Sequence, residues 1–124
     1  MSHSPEDEVL FYENREGKCL VDGFLDSLPA KVKGKLEKWI EQLEFHGPSL
    51  PRPFADTLRG KIRELRLRFG PSHYRFLYFF LGKKIIMTHG FVKKSDKVPE
   101  EEINRAIRLM DDFMARWNRG EIEL

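Results

Sequence analysis

The chain has 124 residues, of which 40% are hydrophobic and 34% charged, a length and composition that predict one globular domain and exclude a disordered chain. No run is long and apolar enough to cross a membrane, and the acidic start from Met1 to Glu8 lacks the basic-then-apolar order of a secretory signal, so the expected address is cytoplasmic. Cys19 is the only cysteine, which excludes an internal disulfide, and the net charge of +2 is unevenly spread. Residues 1–30 carry 2 basic and 7 acidic side chains, residues 31–99 carry 16 and 6, and residues 100–124 carry 4 and 7. A basic body between two acidic ends is the charge pattern that a polyphosphate partner requires.

Taken in order, Val9-Leu10-Phe11-Tyr12 is a short β-favouring run and predicts a first strand. After a turn at Gly17, Leu20, Val21, Phe24, Leu25 and Leu28 recur at helical spacing. Pro29 separates them from a second helix over about 30–45, with an apolar stripe of Val32, Leu36, Trp39, Ile40 and Leu43. His46-Gly47-Pro48 ends it. Three prolines between 47 and 60 predict an irregular connection, closed by Arg59-Gly60.

From Lys61 to Phe69 the sequence alternates. Leu65, Leu67 and Phe69 fall on one side, and Glu64, Arg66 and Arg68 on the other, which predicts a half-buried strand with a charged open face. Gly70-Pro71-Ser72 is a turn, and His73 to Leu81 predicts a central strand covered on both sides. Gly82-Lys83 predicts a tight hairpin into a strand over 84–91. A basic loop follows from Val92 to Val98, with Lys93, Lys94, Asp96 and Lys97. Pro99 then opens a helix with Glu100, Glu101 and Glu102 in its first turn and an apolar stripe from Ile103 to Trp117. The ends, 1–7 and 119–124, are expected to be loose. The predicted order is strand, two helices, three antiparallel strands, helix.

Four segments, "GFLDSLP" at 23–29, "LRGKIRELRLRFG" at 58–70, "HYRFLYFF" at 73–80 and "THGFVKKSDKVPEEEINRAI" at 88–107, together resemble the phage-derived HigB-like branch of the RelE/ParE toxin superfamily. The resemblance covers about residues 8–116. It implies a compact α/β fold, an antiparallel sheet with helices on one side. It also implies a ribosome-dependent mRNA endonuclease that is held inactive by an antitoxin, usually one with a helix-turn-helix domain.

Cleavage of that kind begins with the ribose 2′-oxygen attacking the adjacent phosphate. It needs a base, an acid and positive charge where the phosphate becomes more negative. No His/Cys/Asp/Glu cluster has metal-ligand spacing, so a metal-free and cofactor-free site is expected. Arg66 and Arg68 share one strand face, Arg75 lies on the next strand, and Lys93 and Lys94 follow the last. The resemblance matches Arg75 to the family's site arginine on the "YR" strand. It matches Arg66 and Arg68 approximately to the basic residues of the preceding strand, and Lys94 loosely to the basic residue after the last one. Glu64 stands where the family carries a further lysine.

Arginine stays protonated and suits phosphate clamping. Lysine becomes a base when nearby cations lower its pKa, which nominates Lys93 or Lys94 for the proton, with His89 as the other choice. Arg68, Arg63, Lys61, Tyr74 and Lys97 are the expected RNA contacts, Tyr74 by stacking. The bland alternatives are an ion pair between Arg75 and Glu64, a core histidine at 89 and a packing tyrosine at 74. The rival functions are a ParE-like inhibitor of DNA gyrase and a degenerate module that keeps only its antitoxin interface.

Overall fold

The fold is that of a computed structural model, and it describes residues 8–94 and 97–124. Asp96 of the basic loop lies outside the described residues. Five strands form one sheet in the order β1-β5-β4-β3-β2: β1 Glu8–Phe11, β2 Ala55–Arg59, β3 Ile62–Phe69, β4 Ser72–Leu81 and β5 Lys84–Lys93. β2 to β5 are an antiparallel meander, while β1 runs parallel to β5, pairing Val9 with Ile85. The helices are α1 Leu20–Asp26, α2 Ala30–His46 and α3 Glu100–Asn118.

The α+β class and the order of elements follow the sequence pattern, with one addition. Residues 55–59, expected within an irregular connection, form the edge strand β2. The prolines stop at Pro53, so the backbone donors that β2 needs for its ladder with β3 are intact. The hairpins around β4 turn on two residues each, and Gly70 (φ 58°) and Gly82 (φ 58°) hold the first turn position at a positive φ suited to glycine.

Period-2 alternation along β3 and β4 divides the core between the two faces of the sheet. On one face α1 and α2 bring Val21, Leu25, Leu36 and Leu43 against Leu65, Leu67, Phe76, Tyr78 and Met87. On the other, Ala106 and Phe113 of α3 pack on Ile62, Leu77, Phe79 and Ile86. The helices therefore cover both faces, which corrects the expectation of helices on one side. β4 requires this, because both its parities are apolar from Phe76 to Phe79 and all four residues are buried. At apolar burial of about 1.5–3 kcal/mol per large side chain, leaving either face open would forfeit several such terms.

Two residues of the last segment, Glu121 and Ile122, make contacts with the body of the fold. The Glu121 backbone N–H donates to the Arg116 carbonyl (2.9 Å), its carboxylate pairs with Arg15 (3.1 Å), and Ile122 packs on the α3 core. Arg116 itself is buried. It donates to the Glu13 carbonyl (2.7 Å) and pairs with Asp112, which accepts a hydrogen bond from Tyr12 (2.6 Å), so the end of α3 is clamped to the segment after β1.

Candidate active site

Leu65 and Leu67 enter the α1/α2 core, so Glu64, Arg66 and Arg68 point to the face that α3 occupies. Register with β4 places Leu77, Arg75 and His73 opposite them in turn. α3 covers this face only part way. Its first turn reaches His89, where Glu102 Oε1 stands 3.6 Å from Nε2. Beyond it two cross-strand rows remain, Arg66–Arg75–Phe91 and Arg68–His73–Lys93.

A bulge in β5 aims the third member of each row. Tyr78 pairs with Met87 but Leu77 with His89, so Thr88 is the extra residue. Met87 belongs to the α1/α2 core, and unbroken alternation would have sent Lys93 to that same face. The bulge turns it toward His73 instead.

The rows line an open hollow of about 740 Å³, walled by Arg66, His73, Arg75, Val92, Lys93 and Lys94 with Pro71 and Ser72. Arg66, His73 and Arg75 also wall a second hollow of about 440 Å³ at the open edge of β3, completed by Lys35, Trp39, Pro53, Phe54, Leu67 and Arg68. A third, of about 300 Å³, joins Arg66 and Lys93 to Glu64, Asp56, Lys97 and the start of α3.

Glu64 lies beneath the arginines. Its Oε1 is 3.1 Å from Arg66 Nε and 3.5 Å from Arg75 Nε, and its side chain is 6% exposed against 4% for Arg75. Burial pushes the Glu64 carboxyl above its ordinary value, opposed by Arg75, Arg66 and Lys93. Burial likewise pulls the Arg75 guanidinium down, opposed by Glu64. Glu64 Oε2 has no hydrogen-bond partner among the described residues, and Arg75 satisfies one donor on the Tyr74 carbonyl (3.0 Å). The ion pair weighed as an alternative for Arg75 therefore exists, and it fixes the guanidinium in the cleft floor. Arg66 is the more accessible of the two, 36% exposed.

The structure gathers Arg66, Arg75, Lys93 and Lys94 around the largest of these hollows, while Arg68 lines the second and Lys97 the third. Arg68 is exposed and donates to the Gly70 carbonyl (3.1 Å). Three expected RNA contacts lie elsewhere. Tyr74 is buried on the opposite face against Phe24, so it has no surface on which a base could stack. Arg63 also points to that face, over the Phe80 ring at 5.7 Å and donating to Thr57 (3.1 Å). Lys61 is in the β2–β3 turn, at the far end of β3 from the rows.

His89 shares the face of the cleft but is 2% exposed beneath α3. Burial, helped by Arg105, pulls its imidazole down to about 4. Thr88 Oγ1 donates to the Leu77 carbonyl (3.2 Å), so it accepts from His89 Nδ1 (3.1 Å), and this sets the neutral tautomer. His89 is a core histidine.

Sequence reasoning missed His73. It is exposed, opposite Arg68 and Lys93, and in the wall of both larger hollows. The signal was its spacing of two from Arg75 on a strand, which puts both on one face. Among the described residues no group of three or more His, Cys, Asp or Glu is placed to hold a metal ion, and no helix is long and apolar enough to cross a membrane.

A five-strand sheet with helices on both faces and a cationic cleft past the start of its last helix defines a small α+β protein. Residues 23–111 match the family model described as "Phage derived protein Gp49-like", and the chain belongs to that family. Among solved structures, a chain of the archaeal RelE–RelB complex from Pyrococcus horikoshii OT3 aligns with 77% of this chain and 100% of its own length, at 17% identity and a TM-score of 0.46. No curated protein matches the chain in sequence.

Proposed function

We propose that the chain is the toxin of a toxin–antitoxin pair and that its cleft cleaves messenger RNA by attack of a ribose 2′-oxygen on the adjacent phosphate. The observation that carries this reading is the pair of cross-strand rows that set Arg66, Arg75, His73 and Lys93 around one hollow, with Arg68 beside His73 in the adjoining one. Arg66 and Arg75 stabilise the charge that builds on the phosphate, held for that task by Glu64 rather than by the substrate.

His73 replaces His89 as the histidine able to move a proton, because it faces the hollow and His89 does not. In its neutral form it takes the 2′-hydroxyl proton as the O2′–P bond forms. Lys94, or Lys93, gives a proton to the 5′-oxygen as the P–O5′ bond breaks. The products are a 2′,3′-cyclic phosphate and a free 5′-hydroxyl. With so few acid–base groups, assistance from the ribosome is consistent with the chemistry, and it is part of the proposal by family resemblance alone. So is a helix-turn-helix antitoxin that covers the basic cleft or the last helix, and so is a cytoplasmic site of action.

One observation favours a second reading. Glu64 neutralises part of the charge of both arginines, as a module that had kept antitoxin binding and lost cleavage would tolerate.

The experiment is induction in bacteria of the wild type, Arg66→Ala and Arg75→Ala, with primer extension on abundant messages and a thermal melt of each purified protein. New 5′ ends in translated regions with the wild type, lost in Arg66→Ala while the fold persists, support the nuclease. Arrest of growth without new ends transfers the reading to a target such as gyrase. Neither arrest nor cleavage from folded protein leaves the antitoxin-binding module.

A further inference from the structure

We propose that Trp39 and Phe54 form a stacking platform for an unpaired base of the same RNA strand whose phosphates occupy the cationic rows. This rests on the reading of the cleft as an RNA site and names a subsite within it. The two rings are stacked on each other, with centroids 4.7 Å apart and planes 24° from parallel. Trp39 is anchored from α2 against the α1/α2 core, while Phe54, just before β2, stays 36% exposed. Both line the hollow that shares Arg66, His73 and Arg75 with the phosphate cleft.

A strand passing from Lys94 across the arginines therefore meets this aromatic wall next. Single-stranded RNA is held by such a pairing, a charged track for the backbone and an aromatic face for the base, and stacking tolerates any base because each has a π face. Lys35, exposed on the α2 side of the same hollow, supplies a further cation there. A duplex would not fit the description, since its bases offer no free face. An acidic protein segment would satisfy the cations but gives no reason for a half-exposed stacked pair beside them.

The test uses the full chain with Trp117→Phe, which leaves Trp39 as the sole tryptophan. The probes are a six-nucleotide oligoadenylate with 2′-O-methyl riboses, which removes the attacking hydroxyl, and the abasic backbone of equal length and charge. Quenching of Trp39 fluorescence by the oligoadenylate alone, with binding about ten-fold tighter than the abasic strand, is the expected result. By anisotropy of labelled strands, Trp39→Leu and Phe54→Leu should remove that ten-fold difference and leave abasic binding unchanged, and Phe54→Tyr should keep it. Equal affinity for both strands with no quenching overturns the platform and leaves the cationic cleft standing. Failure of both strands to bind overturns the cleft as an RNA site and the platform with it.

Discussion

Glu64 and Arg75 meet in the floor of the cleft, Oε1 to Nε at 3.5 Å, with both side chains almost fully buried. A carboxylate in that place lowers the positive potential above it but holds two guanidiniums in one orientation, since Arg66 reaches the same oxygen at 3.1 Å. Breaking a buried pair from one side leaves the other charge uncompensated, which costs more than the pair contributes.

Glu64→Gln keeps the volume and removes the charge. It is expected to destabilise the fold by about 3 kcal/mol, mostly through the stranded Arg75. It should also strengthen RNA binding at low salt and steepen the salt dependence, by up to about 0.7 in the log–log slope for each phosphate newly neutralised. Urea unfolding and anisotropy across a salt series read the two effects separately. Unchanged stability and an unchanged slope would show that Glu64 does not govern the arginines.

The meander was legible in the sequence because period-2 alternation and glycine-led turns leave little choice between Lys61 and Phe91. β2 was not, because a five-residue edge strand with only Ala55 and Leu58 as apolar members carries no period, and the prolines before it dominate the reading. Of the cleft, Arg66 and Arg68 were legible from parity on one strand. Parity also sets Tyr74 against Arg75, since neighbours on a strand face opposite ways, so the two were never able to share the cleft. Lys93 was legible from its charge and place after the last strand, and the core reading of His89 from its apolar strand neighbours, but parity could not assign either to a face. The bulge at Thr88 changes the parity of β5, and only the pairing with β4 reveals it. The burial of His89 depends on where α3 crosses the sheet, which no local pattern encodes.

His73→Gln keeps a polar side chain at the position and removes the imidazole. If His73 moves the proton, cleavage should fall by roughly 10²–10⁴-fold with little change in RNA affinity. A cleavage assay on programmed ribosomes gives the first quantity, and filter binding of the 2′-O-methyl oligonucleotide gives the second. Equal losses of binding and cleavage would reduce His73 to a phosphate contact.

Gly90 lies opposite Phe76, three residues before Lys93. A Cβ there would stand 2.6 Å from Phe76 Cε1 and 2.9 Å from Phe24 Cδ2, well inside contact distance. Phe76 is fully buried and meets the half-buried Phe24 ring edge to face, so the added methyl would press on a packed pair. Gly90→Ala is expected to cost about 1–3 kcal/mol by overpacking and to displace the end of β5 that carries Lys93. A denaturation midpoint measures the first effect, and a cleavage rate lower than the folded fraction accounts for measures the second. Wild-type stability in Gly90→Ala would mean that α1 is free to shift.

His89 makes the fold sensitive to acid. Its imidazole is held near 4 in the folded chain, against an ordinary value of 6.5, because burial beneath α3 disfavours the charged ring. The unfolded chain therefore takes up a proton at His89 between about pH 6.5 and 4, and the folded chain does not. The stability it contributes is present above that window and is lost as pH falls through it, by roughly 3 kcal/mol at most. Burial pushes Glu64 and Glu102 up, which acts in the opposite direction as pH rises through the carboxylate range, so the wild-type profile alone mixes the two signs. The difference between the wild type and His89→Gln isolates the histidine. Unfolding free energies from urea titrations at intervals from pH 4.5 to 7.5 should show the wild type gaining on the variant as pH rises, with the gain levelling off near neutrality. Parallel profiles would mean that the ring takes up its proton equally in the folded and unfolded chain, and a wild type that loses on the variant as pH rises would mean a charged ring paired with Glu102 at 3.6 Å.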